Sequence, residues 1–323
     1  MQKMVYLKRP GEDLRKKKNN TSMLPSSRGL GHPPFTQVTG IRIPLGVPNI
    51  NMNMPSLDTR VKLLQAFVYV GFVYTLAYQF DLTLFLISFF ILGWLMTLIG
   101  ISCGLHKYSA HGNFKEKHVA FKILMLFYAT VMSLGSSVAW SSTHRKHHQS
   151  SDKLDDPHSP NTNGGGLWRS IKLWFYYFPT YHVNPRIVKD LSVDPIHKFF
   201  HKNYFKIVAI YVILLSLFGI KAVCYLYFVP VVYGFQATSY ITVLAHNTWL
   251  AKFGYRNFDT EDKSFNSKVA AIFCPCDGNH NNHHNCAGAA TNSLKPGDWD
   301  TGYWFIRLIG RVPDQSAFKK FNN

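Results

Sequence analysis

Nine histidines in four tight groups offer most of the chemistry in this chain. They are His106 and His111 in HKYSAH, His144, His147 and His148 in HRKHH, the single His246, and His280, His283 and His284 in HNNHH. On a helix, positions i, i+3 and i+4 share a face, so HRKHH and HNNHH can each turn three imidazoles toward one point. The i, i+5 spacing of His106 and His111 is about 140° around an ideal helix. Those two rings either diverge toward different ions or sit where the helix unwinds. Nine neutral imidazoles exceed the needs of one ion and suit two ions with four or five ligands each. Imidazole ligation fits iron, copper or zinc. A soluble carboxylate-bridged di-iron site would instead carry Glu and Glu-x-x-His on its helices, a pattern missing from this Glu-poor chain.

The elements that must position these groups are apolar helices. Residues 63–80 and 82–105 carry no charge and are separated by Asp81; residues 207–220 and 222–245 form a second uncharged pair flanked by Lys206 and Lys221. A membrane span needs roughly 20 apolar residues, and terminal lysines can reach outward to the interface. Four spans are therefore expected, at about 63–80, 82–105, 204–220 and 222–245, with Pro230 kinking the last. The uncharged stretch 123–143 is a fifth candidate. If it crossed, HKYSAH and HRKHH would lie on opposite sides. A metal site built from all groups requires that it stay on one side, so residues 1–62, 106–206 and 246–323 share a face. Those segments hold nearly all of the 35 Lys and Arg, which makes that face, and both termini, cytoplasmic.

The 323 residues carry a net charge of +18 with 47% hydrophobic residues, too apolar for a disordered tail. Five Cys are no disulfide scaffold. Cys274, Cys276 and Cys286 flank the last histidine group and are expected as reduced thiols. Residues 1–60 read as a basic, extended arm with no secretory signal; membrane-surface attraction or donor docking are its functional readings. Nucleic acid is not an expected partner, because no stacking pattern or recognised fold accompanies the basic arm. Gly164, Gly165 and Gly166 form no phosphate loop.

The three clusters resemble the histidine boxes of integral-membrane fatty acid desaturases, with the acyl-CoA branch and its bacterial relatives closest. The likeness covers residues 60–312 and extends to DDPHSP, DLSVDPIHKFFHKNYFK, LAHNTWLAKFGYRNFD and YWFIRLIGRV. It implies an all-α integral-membrane fold: four transmembrane helices in two hairpins, capped by a cytoplasmic helical domain. Within it lie an arm at 1–60, a desaturase domain at 61–312 with cytoplasmic segments 106–203 and 246–312, and a tail at 313–323. The membrane would be endoplasmic reticulum in a eukaryote and the inner or plasma membrane in a bacterium.

By the same resemblance the nine His hold two non-haem iron ions, with O2 as co-substrate. One iron takes His106, His144, His147 and His280; the other takes His111, His148, His246, His283 and His284. Thr242 stands where the family has an Asn that contacts the site through water. Ser142 and Thr143 replace an Arg-Asp pair that helps bind the CoA headgroup, which leaves CoA, acyl carrier protein or a lipid as acyl carrier. Trp140 lines the acyl tunnel, and Trp249 is a further substrate contact. The reaction implied is insertion of a cis double bond of Δ9 type into a saturated acyl chain.

Ligand imidazoles donate their second N–H to carboxylates or carbonyls. Asp152, Asp155, Asp156, Glu261, Asp262 and Asp277 are near in sequence, with Asp156 and Asp277 preferred. Among the other histidines, His158 is a further candidate beside the ligands, and His32, His118, His182, His197 and His201 read as surface residues. With no flavin or nicotinamide fingerprint, electrons must come from a ferredoxin or b-type cytochrome docking on basic residues such as Arg145, Lys146, Lys198 and Lys202. A lipid hydroxylase of the same metal class is the alternative reading. A membrane metal binder or transporter is disfavoured, because the spans contain no His and no internal charge.

Overall fold

Ser56 starts the first helix by accepting a hydrogen bond from Thr59 N–H at 3.1 Å, and Asp58 lies in its first turn, where a negative charge suits the helix dipole. The computed structural model describes residues 56–162, 165–175, 183–247 and 253–315. The basic arm up to residue 55, Trp249, His182 and most of the tail fall outside the described residues.

Helix α1 (Leu57–Tyr78) and helix α2 (Leu82–Ala110) are joined by residues 79–81. Asp81 caps α2 through Leu84 N–H at 2.9 Å. The Tyr225 hydroxyl accepts from Asp81 N–H and donates to Gln79 O, each at 2.7 Å, which fastens this turn to a segment 144 positions further along the chain. Next come a short strand β1 (Lys115–Glu116), α3 (Val119–Val131), α4 (Ser137–Gln149), α5 (Gly166–Phe175), α6 (Lys189–Val193), α7 (Pro195–Lys202) and α8 (Tyr204–Ser216). A long helix α9 (Ile220–Leu244) follows. Then come α10 (Lys268–Phe273), α11 (His280–Asn285), α12 (Thr301–Ile309) and β2 (Gly310–Arg311), which pairs antiparallel with β1.

Helices α1, α2 and α9 are long and apolar enough to cross a membrane, and α7 with α8 adds a fourth candidate if that pair, bent by 67°, is one span. Their outer faces expose Val70, Val73, Ile213 and Leu214, the surface expected where the surrounding medium is hydrocarbon. Helix α2 continues past residue 105 to Ala110, so His106 is still helical. Pro230 does not break α9: a wide π-type turn at Cys224–Phe228 precedes it, and such a turn absorbs a missing backbone N–H.

The 123–143 stretch is not one helix. Helix α3 has 13 residues, too few to span. Ser133 at φ 59° and Gly135 at φ 91° then reverse the chain into α4. Close packing of α3 on α2 depends on Gly100, where a Cβ would stand 2.6 Å from the Tyr128 carbonyl carbon. The reversal brings HRKHH back to HKYSAH.

Arg145 holds this join. Its guanidinium donates to Ala110 O, Ser109 O and Ile187 O at 2.7–2.8 Å and forks onto Asp190. It is a structural clamp rather than an open donor contact, because every arm of the fork is engaged. Lys146 pairs with Asp155, whereas Lys198 and Lys202 on α7 are exposed. Arg145→Ala is expected to cost about 3 kcal/mol by stranding three carbonyls and a carboxylate, read as a lower thermal midpoint in detergent. Lys at this position should recover little, since one ammonium cannot replace the fork.

His197 and His201 are not surface residues. His197 is buried, contacts Ser137 Oγ through Nδ1 at 2.9 Å and stacks on Tyr108; His201 Nδ1 contacts Ser136 Oγ at 2.6 Å. Both therefore hold the start of α4. Burial, then Lys122, lowers the His197 pKa to about 4 against the partial opposition of Asp194, Asp190 and Glu116. Between pH 6.5 and 4 the unfolded chain binds a proton that the folded chain refuses, so stability falls as pH drops through that window, by up to about 3 kcal/mol. The thermal midpoint of His197→Gln should be flatter than wild type across pH 7 to 5.

Candidate metal centre

The wide turn at the end of α2 brings His106 and His111 together. Residues 97–110 form a π-helix, and His111 N–H bonds to His106 O at 3.1 Å. Where hydrogen bonds run i→i+5, residues five apart lie nearly above one another. The two ring centroids are 4.8 Å apart, so the rings converge instead of diverging.

All nine imidazoles meet in one buried region and sort into two groups. His106, His111, His144, His148 and His283 form one; His147, His246, His280 and His284 form the other. This differs from the division implied by the family resemblance, which put His147 and His280 with His106 and His144, and His111, His148 and His283 with the other ion. The reason is helical: His144 and His148 are four apart and point the same way, as do His280 and His284, while His147 and His283 are displaced to the side. Each of these two helices therefore gives two ring nitrogens to one group and one to the other.

Within the first group the Nε2 atoms of His106 and His283 are 2.9 Å apart, those of His111 and His144 3.0 Å, and those of His148 and His283 3.0 Å. In the second, His246 and His280 are 2.9 Å apart, His280 and His284 3.2 Å, and His147 and His284 3.4 Å.

Carboxylates stand beside the Nδ1 atoms of four of these rings. His147 Nδ1 donates to Asp156 at 2.8 Å and His246 Nδ1 to Asp152 at 2.9 Å; His284 Nδ1 lies 3.1 Å from Asp262, and His106 Nδ1 2.5 Å from Asp277. Asp277 also accepts from Ser102 Oγ at 3.0 Å. Burial alone would raise the Asp152 and Asp156 carboxyls, but His246 and His147 hold both well below the usual range. Burial also lowers His111, His144, His148, His280 and His283, and neighbouring imidazoles reinforce the shift. His284 is lowered to about 4 by burial despite Asp262. The site is thus a set of mostly neutral rings.

The residues fit metal ions. A ring that gives its Nδ1 hydrogen to a carboxylate presents a bare Nε2 lone pair. Bare lone pairs some 3 Å apart repel unless a cation lies between them. Two nitrogens each about 2.1 Å from one ion and at a right angle to it are about 3.0 Å apart, which matches the observed spacings.

Trp140 is buried and stacks on His144 at 4.6 Å between centroids. It lines a narrow cavity under the histidines together with Thr97, Ile101, Ala237, Ile241 and Cys274. Thr242 also faces that cavity, with its hydroxyl donating to Thr238 O at 3.0 Å. Ser142 and Thr143 are buried and bonded internally, to Asn184 N–H and Ala139 O. His158 lies 4.0 Å from the His147 ring, centroid to centroid. Asp155 and Glu261 face outward toward Lys146 and Lys153.

Three supports carry no mark in the spacing of the boxes. Asn281 and Asn282 occupy the face of α11 opposite its histidines; they accept from Phe258 N–H and from Asn266 Nδ2, each at 2.9 Å, which anchors the helix. Fully buried Lys107 donates to Asn292 Oδ1 at 2.7 Å and Ala289 O at 3.1 Å, tying the first box to the segment after the last. Polar residues inside HNNHH, on the face away from the metals, were the available signal.

Residues 81–298 match the sequence profile of the fatty acid desaturase family. The chain belongs to that family. It is 31% identical over 220 residues to an sn-1 stearoyl-lipid 9-desaturase of Anabaena variabilis, covering 68% of this chain and 78% of that one. It is 30% identical to Delta-9 acyl-lipid desaturase 2 of Arabidopsis thaliana, covering 67% and 70%. It is 28% identical to a hex-5-enoyl-[acyl-carrier protein] acetylenase of Moorena producens, covering 68% and 74%. The protein is accordingly a fatty acyl desaturase, an oxidoreductase of lipid metabolism.

Proposed function

We propose that the nine histidines hold two iron ions and that the protein inserts a cis double bond into a saturated acyl chain at the expense of O2 and two external electrons. The observation that carries this reading is the pair of converging Nε2 groups backed by four carboxylates. Bound there, the irons supply the oxidising power to remove hydrogens from an unactivated methylene pair, which acid–base groups cannot reach. The chain's own residues do the rest. Asp152, Asp156, Asp262 and Asp277 fix the ring tautomers and orientations. Trp140 and the apolar wall of the cavity exclude water and hold the chain against the histidines.

Four spans in two hairpins, with the histidine domain and both termini on the cytoplasmic side, are supported by the Lys and Arg distribution. Ferredoxin or a b-type cytochrome is the proposed electron donor, docking near the exposed Lys198 and Lys202. Δ9 regiochemistry is supported by the similarity to 9-desaturases. A lipid hydroxylase differs in product, not in ligands.

Expression in an unsaturated-fatty-acid auxotroph, with lipids profiled by gas chromatography–mass spectrometry, tests the reading. A new cis-monoene is expected, with its double bond between carbons 9 and 10. A hydroxylated lipid in its place overturns desaturation.

A further inference from the structure

An apolar pocket lies beside the cavity under the histidines. Phe89 and Phe90 of α2, Tyr233 and Tyr240 of α9, and Val269 and Phe273 of α10 line it, around a cavity of about 220 Å³. Ala237 and Cys274 belong to the walls of both pocket and cavity, so they form the partition between the two. The Cys274 thiol faces the Ala237 carbonyl with Sγ and O 3.4 Å apart. A thiol is a weak donor, so this contact holds the partition only weakly.

Helix α10 roofs the pocket. Its C-terminal carbonyls are pinned to the membrane helices: Trp94 Nε1 donates to Ile272 O and the Tyr233 hydroxyl to Phe273 O, each at 2.8 Å. Its other face is open and apolar. At the mouth, Phe90 is 48% exposed, Val269 57% and Phe273 45%. Helices α2 and α9 are candidate spans, and the exposed apolar side chains at this mouth suit lipid hydrocarbon as the medium over it. An apolar pocket with an apolar mouth at one end, and only Ala237 and Cys274 between it and the histidine cavity at the other, is shaped for an acyl chain that never leaves the bilayer.

We infer that the acyl chain of a membrane lipid enters sideways between α2 and α9 under α10, and passes the Ala237–Cys274 neck to reach the histidines. This rests on the desaturase reading and adds the substrate class: a chain esterified to a bilayer lipid rather than to a water-soluble carrier.

The test uses the full chain in membranes. A phosphatidylcholine carrying a diazirine in the middle of one saturated chain is photolysed there, beside an acyl-CoA with the same label, and adducts are mapped by peptide mass spectrometry. Phospholipid adducts are expected on Phe89 and Phe90, on 233–240 and on 269–274. Val269→Trp, at an exposed position that tolerates bulk, should reduce the adducts on 233–240 and on Cys274 about fivefold with an unchanged thermal midpoint. Ala237→Phe should retain the adducts at Phe90 and lose those on cavity residues Ile101 and Trp140. Phospholipid adducts confined to outward residues such as Val70 and Ile213, or pocket adducts from acyl-CoA alone, overturn the route. Labelling needs no turnover, so it is separate from the reaction itself: pocket labelling without monoene formation counts against the desaturase reading, and monoene formation without pocket labelling counts against the lateral route.

Discussion

His147→Ala is expected to abolish the monoene product and to lower bound iron from about two to about one per chain. The effect is large because His147 belongs to the smaller group. Its loss leaves His246, His280 and His284 as the nitrogens of that group and removes the hydrogen-bond donor that Asp156 faces through Nδ1 at 2.8 Å. His283→Ala leaves four nitrogens in the larger group, so its iron content should fall less while its product also disappears. His118→Ala is the control. His118 is exposed and only caps α3, accepting from Ala120 N–H at 3.1 Å, so it should retain full activity and iron. Iron analysis and lipid profiling on the three variants check these outcomes together. A His147→Ala protein that keeps two irons and a tenth of the product would sink the ligand assignment.

Asp156→Ala should produce the second largest loss, about 10–100-fold in metal affinity and activity. This carboxylate never faces the metals directly. It accepts from His147 Nδ1 and from Asp152 N–H at 2.7 Å, and from His158 N–H at 3.0 Å. It therefore orients one ligand and folds the loop that presents Asp152 to His246. Asp156→Asn keeps an acceptor oxygen, so it should recover part of the affinity. The distinguishing readout is a competition titration with an iron chelator: a purely structural role would lower the thermal midpoint and leave the chelator midpoint of the folded fraction where it was.

Much of the centre was legible in the residues. The i, i+3, i+4 spacings of HRKHH and HNNHH required three rings per helix near one place, and that is where they are. The uncharged stretches marked three helices that the structure shows to be long and apolar enough to cross a membrane. Asp156 and Asp277 were selected by nearness in sequence to the boxes, and each stands beside a ring nitrogen. Asp152 and Asp262 were among the candidates, but sequence distance could not rank them. Asp152 serves His246, 94 positions away.

Three matters belonged to the tertiary structure. The convergence of His106 and His111 depends on an i→i+5 turn, and residue types do not specify that turn over an ordinary helix. The division of nine rings between two groups depends on how α4 and α11 are rotated about their axes. A spacing of three or four residues says that side chains share a face, and says nothing of where that face points. The roles of Arg145, His197 and Lys107 were decided by burial: a charged or titratable residue in a basic stretch looks solvated until another segment closes over it. Spacing along the chain determined which residues could ligate together, because helix geometry is local. Which ring joins which group, and which carboxylate backs it, was decided only when segments distant in the chain packed against one another.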